Sequence, residues 1–198
     1  MNRELLKKNF EKHLFATSFF DTKEEAADYL CSQIRNTTVG FGGSMTLTAM
    51  NLYDRLTGAG NTVYSHSVSM DPHCMQKARD SEFYVCSANG VSETGEMVNI
   101  DGRGNRVSAT LFGPKKVFFV VGRNKIVPSL AEALTRAKTA AAPPNAARLK
   151  KKTPCAAEGK KCFDCNSPER ICNATVIYER AMTGMEAEVV FIDEDLGF

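Results

Sequence analysis

Apolar residues recur at helical spacing from the start of the chain. Leu5, Leu6, Phe10 and Leu14 fall on one face between Arg3 and Phe15, which predicts an amphipathic helix. A second helix is expected from Thr22, where Glu25 three residues on completes a capping box and Ala26, Leu30 and Ile34 continue one face. The period then changes. Thr37–Phe41 reads as a short buried strand that runs into Gly42-Gly43-Ser44, after which Met45, Ala49, Leu52 and Leu56 restore a helical face. A strand, a glycine-rich turn and a helix in that order open a βαβ unit. Thr62–Ser65 and Phe83–Ala88 are expected strands, with a short helix over Pro72–Ala78 between them. Val117–Val121 is an unbroken apolar run, the mark of a strand covered on both faces.

Elsewhere the texture differs. Glu96–Ile100, the turn-rich Asp101–Asn105 and Arg106–Leu111 together read as a β-hairpin. Ser129 and Glu132 form a second capping box, heading a helix to about Thr139 that Pro143-Pro144 ends. From Asn145 to Cys172 no period is visible, and a loop this long inside a domain usually has a function or a tie. Ala174–Tyr178 and Glu188–Phe191, joined through Thr183-Gly184, read as a closing pair of strands. The expectation is therefore one α/β domain over residues 1–198, with a mostly parallel sheet, a hairpin insert and a cysteine-rich loop at 145–172.

Composition narrows the class. A net charge of +2 gives no general reason to expect nucleic acid as a partner. No apolar stretch reaches the length of a membrane-spanning helix, so no membrane partner is expected. Arg3, Glu4, Lys7, Lys8, Glu11 and Lys12 interrupt the first twenty residues, which lack the apolar core of a signal peptide, so a cytoplasmic protein is expected.

Three segments carry candidate chemistry. Gly42, Gly43 and Ser44 follow the first expected strand, where glycines let a ligand approach the backbone and helix N–H groups attract anions. Met45 and the lack of a third glycine rule out the dinucleotide fingerprint, and no Lys-Ser/Thr pair makes it a Walker loop. The same residues also suit a ligand-free tight turn with Ser44 as helix cap. Asn89–Glu96 follows the strongest strand and gathers an amide, two hydroxyls and two carboxylates, either as a polar turn or around a general base such as Glu93. Cys155, Cys162, Cys165 and Cys172, with Lys160, Lys161 and Arg170 nearby, have the right number of thiolates for a zinc ion or an iron–sulfur cluster. Free thiols, a redox-active dithiol and disulfides fit the same spacing. Cys31, Cys74 and Cys86 are scattered and read as small buried residues.

Val91-Ser92-Glu93-Thr94-Gly95-Glu96, the strand Val117–Val121, and Gly122-Arg123-Asn124-Lys125-Ile126-Val127-Pro128 resemble, in order and spacing, the core signature of the lactate-utilisation (LUD) domain family; Leu196-Gly197-Phe198 resembles its ending. The resemblance implies a Rossmann-like open sheet similar to the sugar-phosphate isomerase and CoA-transferase superfamily. It further implies that Gly42, Gly43, Ser44, Asn89 and Lys125 bind a ligand in one cleft at the C-terminal strand ends, with Glu93 as the catalytic group. The implied ligand is a small anionic organic acid or a sugar phosphate. The implied role is that of a subunit in the oxidation of L-lactate or a related acid, beside an iron–sulfur partner protein. The cysteine-rich loop departs from the simple family pattern and opens a second reading, a non-catalytic redox or sensing domain carrying a four-cysteine site.

Overall fold

Two faces of one parallel sheet account for most of the buried apolar residues. The computed structural model describes residues 1–159 and 161–198. The chain begins with α1 (Arg3–Lys12), β1 (Ala16–Phe20), α2 (Lys23–Gln33), β2 (Thr38–Phe41), α3 (Met45–Ala49) and α4 (Leu52–Gly58). It continues through β3 (Thr62–Tyr64), α5 (Cys74–Arg79), β4 (Phe83–Cys86), β5 (Gly90–Ser92), β6 (Met97–Asp101) and α6 (Asn105–Leu111). Next come β7 (Lys116–Gly122), β8 (Ile126–Val127), α7 (Leu130–Arg136), α8 (Ala142–Arg148) and α9 (Pro154–Glu158). The last elements are β9 (Ala174–Tyr178) and β10 (Glu186–Ile192).

The main sheet has the order β1-β10-β7-β4-β2-β3, with every neighbouring pair parallel. The central strands show why their sequence is apolar without alternation. Val117, Phe119 and Val121 of β7 and Ala187, Val189 and Phe191 of β10 join one core with Leu6 and Phe10 of α1. Phe118, Val120, Val190 and Ile192 point the opposite way, into a second core with Ala26, Leu30, Leu47, Leu52 and Leu56. Period-two side chains on a doubly covered strand must be apolar at both parities. The mostly parallel, Rossmann-like α/β class expected from the sequence is the one observed.

The second sheet, ordered β8-β5-β6-β9, is mixed: β5 is antiparallel to β6 and parallel to β8, and β6 is antiparallel to β9. Its Val91 and Met97 pack into the first core, while Val98 and Ile100 face Ala133 and Ala137 on the helical side. The small sheet is thus a layer between the main sheet and α7. No described helix is long and apolar enough to cross a membrane.

Several elements differ from the sequence expectation, each for a local reason. The first helix stops at Lys12; Leu14 takes a left-handed φ of 64° and lies exposed, off the buried face. The following Ala16–Phe20 is an edge strand, with Phe19 stacked on Phe191 at 5.1 Å between ring centroids. Arg106–Leu111 is helical, not the return strand of a hairpin. Asp101 causes this: its carboxylate accepts from the backbone N–H groups of Arg103, Gly104, Arg106 and Val107 at 2.9–3.3 Å and so caps α6. The hairpin falls one step earlier, between β5 and β6. Pro143 and Pro144 do not end the helical segment, because a π-helical turn over Ala137–Ala141 intervenes and they sit in the first turn of α8, where a missing N–H is tolerated. Finally, β9 and β10 are not partners: β9 edges the small sheet, while β10 lies between β1 and β7.

Candidate functional site

Three loops meet because β2, β4 and β7 are neighbours in the parallel sheet, so their C-terminal ends open on the same side. Gly42–Ser44 leaves β2, Ser87–Asn89 leaves β4, and a single 3-10 turn, Arg123–Lys125, leaves β7. They form the floor of a cleft of about 380 Å³. Asp101–Arg106 and the segment from Ala137 to Lys151 contribute its walls, and Phe198 borders it.

Lys125 is the central group. It is 3% exposed, lines the cleft, and donates from Nζ to Thr46 Oγ1 at 2.8 Å and Ser87 Oγ at 2.9 Å. Thr46 in turn donates to the Leu196 carbonyl at 3.0 Å. Among the described residues no carboxylate pairs with this ammonium, so burial pushes its pKa down to about 7, helped by the nearby Arg136 and Arg106 guanidinium groups. Cys86 lies close by at the end of β4, and burial pushes its thiol up to about 12, so it is neutral and a poor nucleophile.

Arg106 crosses the floor. It donates to the Ser87 carbonyl at 3.1 Å, Asn99 Oδ1 at 2.6 Å, Asn89 Oδ1 at 3.0 Å and the Ile100 carbonyl at 2.6 Å. Four neutral acceptors position the guanidinium but leave its charge only partly compensated; Asp101 stands 3.9 Å away and is already engaged with the α6 N–H groups. Gly42 makes this path possible, because a Cβ there would sit 2.9 Å from Arg106 Cγ and 3.0 Å from Cys86 Cβ. Arg136, from the end of α7, donates to the carbonyls of Asn89 and Asn124 and ties the β4 and β7 loops together. His66 also lines the cleft, its pKa lowered first by burial and then by Arg103.

The charge balance of the cleft is one-sided. Among the described residues lining it, Arg103, Arg106, Lys125, Arg148 and Lys151 face a single side-chain carboxylate, Asp101. Such a concave, partly desolvated surface favours an anion.

Of the residues singled out from sequence, Gly43, Ser44, Asn89 and Lys125 line this cleft, and Gly42 lies beneath it against Arg106. Ser44 caps α3 through Leu47 N–H, and Asn89 orients Arg106 and accepts from Ile100 N–H at 2.8 Å, so both also have structural work. Glu93 is not among the lining residues. It sits in the β5–β6 turn, where its N–H donates to the Val127 carbonyl and its own carbonyl accepts from the Asn9 side chain. Sequence reasoning missed Thr46, Ser87, Arg106 and Arg136. Ser87 was hidden inside the expected strand Phe83–Ala88, which in the structure ends at Cys86. Arg106 was hidden by reading its helix as a strand.

The cysteine loop shows a different picture from the one its spacing suggests. Cys155, Cys162, Cys165 and Cys172 are all free and partly exposed, and among the described residues no three or more His, Cys, Asp or Glu side chains gather as ligands for an ion. The loop is held instead by its polar groups: Arg170 donates to the carbonyls of Cys165 and Cys172, and Ser167 to that of Lys152. Lys160, named above as an offsetting charge, lies outside the described residues. The arrangement does not fit a zinc ion or an iron–sulfur cluster.

The chain is an α/β protein with a parallel main sheet and a cationic cleft at its strand C-termini. The LUD domain family profile matches residues 3–192, and the chain belongs to that family. Among solved structures it is similar to a DUF162 family protein from Deinococcus radiodurans, determined at 1.70 Å, with a TM-score of 0.52 and 11% sequence identity over 96% of this chain and 94% of the other. At that identity the likeness speaks to the fold. A comparison with curated proteins finds no match.

Proposed function

We propose that the chain binds a small anionic organic acid or a sugar phosphate in the cleft around Lys125 and Arg106. It would serve there as a subunit in the oxidation of L-lactate or a related acid. The family is associated with lactate utilisation in general. The observation that carries it is the excess of positive charge: a buried ammonium without a paired carboxylate, together with Arg103, Arg148 and Lys151, lines a cleft whose one described side-chain carboxylate, Asp101, is already engaged. Burying cations without counter-charge is costly, and a carboxylate or phosphate ligand relieves that cost. The volume, about 380 Å³, lies at the lower end of small-molecule sites and leaves a three-carbon acid room for water or for a longer chain. Glu93 lies away from this floor, so its proposed role as general base requires a ligand that extends toward the β5–β6 turn. Calorimetric titration with L-lactate, pyruvate and ribose 5-phosphate tests the reading. Saturable binding of at least one is expected, weakened on the order of tenfold or more by Lys125→Met, since a charge-assisted contact contributes about 1.5–3 kcal/mol. Absence of saturable binding for all three ends the proposal.

A further inference from the structure

We infer that Lys125 is a nucleophile, forming an imine with the carbonyl carbon of a small anion such as a 2-oxo acid or an open-chain sugar phosphate. This rests on the reading of the cleft as an anion site and assigns the bond-forming atom within it.

Lysine is rarely buried without a partner carboxylate, because its hydrated ammonium loses too much on desolvation. Here the amine is 3% exposed, stands at the C-terminal end of the central strand β7, and reaches the cleft rather than a counter-ion. Two hydroxyls, Thr46 Oγ1 at 2.8 Å and Ser87 Oγ at 2.9 Å, accept its N–H groups. A neutral amine so held has two N–H bonds fixed on oxygens and one tetrahedral direction left for its lone pair. Arg106 and Arg136 oppose the charged form, which agrees with the depressed pKa. Arg103 and Arg148, which line the same cleft, would hold the acid or phosphate end of the ligand, because the four terminal N–H bonds of Arg106 are already given to protein acceptors. The neighbouring thiol of Cys86 is fully buried and does not compete.

The step balances without an external oxidant or reductant. The nitrogen lone pair forms the N–C bond as the carbonyl π bond breaks, giving a carbinolamine. The nitrogen's two protons then pass to the departing oxygen, which leaves as water when the C=N bond closes. Thr46 and Ser87, whose hydroxyl oxygens are 3.4 Å apart and both on the amine, provide a short relay for those protons.

Borohydride trapping of the full chain tests this. The protein is incubated separately with pyruvate, glyoxylate and dihydroxyacetone phosphate, reduced with sodium borohydride, and analysed by intact mass and peptide mapping. A single saturable adduct on the peptide carrying Lys125 is expected for at least one probe, absent from Lys125→Met. Mapping the wild-type adduct decides the matter even if that variant fails to fold. Adducts scattered over surface lysines, or none with any probe, overturn the proposal. Parallel calorimetry separates the two readings: binding without an adduct refutes the imine and leaves the anion site standing, whereas neither binding nor adduct refutes both.

Discussion

At the scale of single residues, the buried amine of Lys125 has a consequence measurable without any ligand. Its folded-state pKa of about 7 lies below the ordinary lysine value of 10.5. Between those values the unfolded chain binds the extra proton, so stability should rise with pH across that window. Below about pH 7 both states are protonated and the full penalty of holding a buried ammonium remains. Urea unfolding of wild type and Lys125→Met from pH 6 to pH 10 should therefore show wild type gaining on the variant by up to a few kcal/mol, flat at the acid end and rising above it. A difference that does not change with pH would mean that the amine is not desolvated as described. Gly42 makes a second prediction at this scale. Gly42→Ala places a methyl 2.9 Å from Arg106 Cγ, so the guanidinium must leave its carbonyl acceptors. A loss of about 1–3 kcal/mol in unfolding free energy is expected, together with weakened anion binding; an unperturbed variant would show that Arg106 has freedom the structure does not suggest. Asn89 and the glycines were legible in the sequence because each follows a strand end, and Lys125 through the family resemblance. Arg106 was not, since nothing in Asp101–Asn105 distinguishes a hairpin turn from a helix cap until the Asp101 carboxylate is seen to accept four N–H groups.

At the scale of elements, the cleft has a rigid floor and a helical wall. The floor is legible because parallel strands buried on both faces leave continuous apolar runs, as in β7. The wall is less so: α7, the π-turn and α8 form a continuous helical segment from Leu130 to Arg148, where two prolines signal an end. Edge elements such as β1, whose side chains are only partly buried, carry too weak a pattern to be read. The wall can be tested by filling. Ala142 lines the cleft at the start of α8 and is partly exposed, so Ala142→Phe should project into the ligand space while leaving the two main cores untouched. Binding of the best anion should fall on the order of tenfold or more with an unfolding midpoint within a few degrees of wild type. Unchanged affinity would remove this wall from the site.

At the scale of the whole molecule, the net charge of +2 conceals the feature that matters. Sequence totals average a neutral surface with a cleft whose lining cations outnumber its carboxylate, and only the strand order β7-β4-β2 brings those cations together. The same order explains why loops separated by some forty residues each, after β2, β4 and β7, share one site. The four cysteines, prominent in the sequence, are not among the residues that line it, although Ile171 of the same loop is; spacing showed how close the thiols are along the chain and not whether the backbone turns them toward one point. The most direct test of the central claim is therefore one of location. Amide chemical-shift mapping by NMR, with pyruvate or ribose 5-phosphate titrated into the labelled chain, should perturb Gly42–Ser44, Ser87–Asn89 and Arg123–Lys125 together and saturate as one event. Saturable shifts confined to Cys155–Cys172, or to any surface away from these three strand ends, would contradict the account.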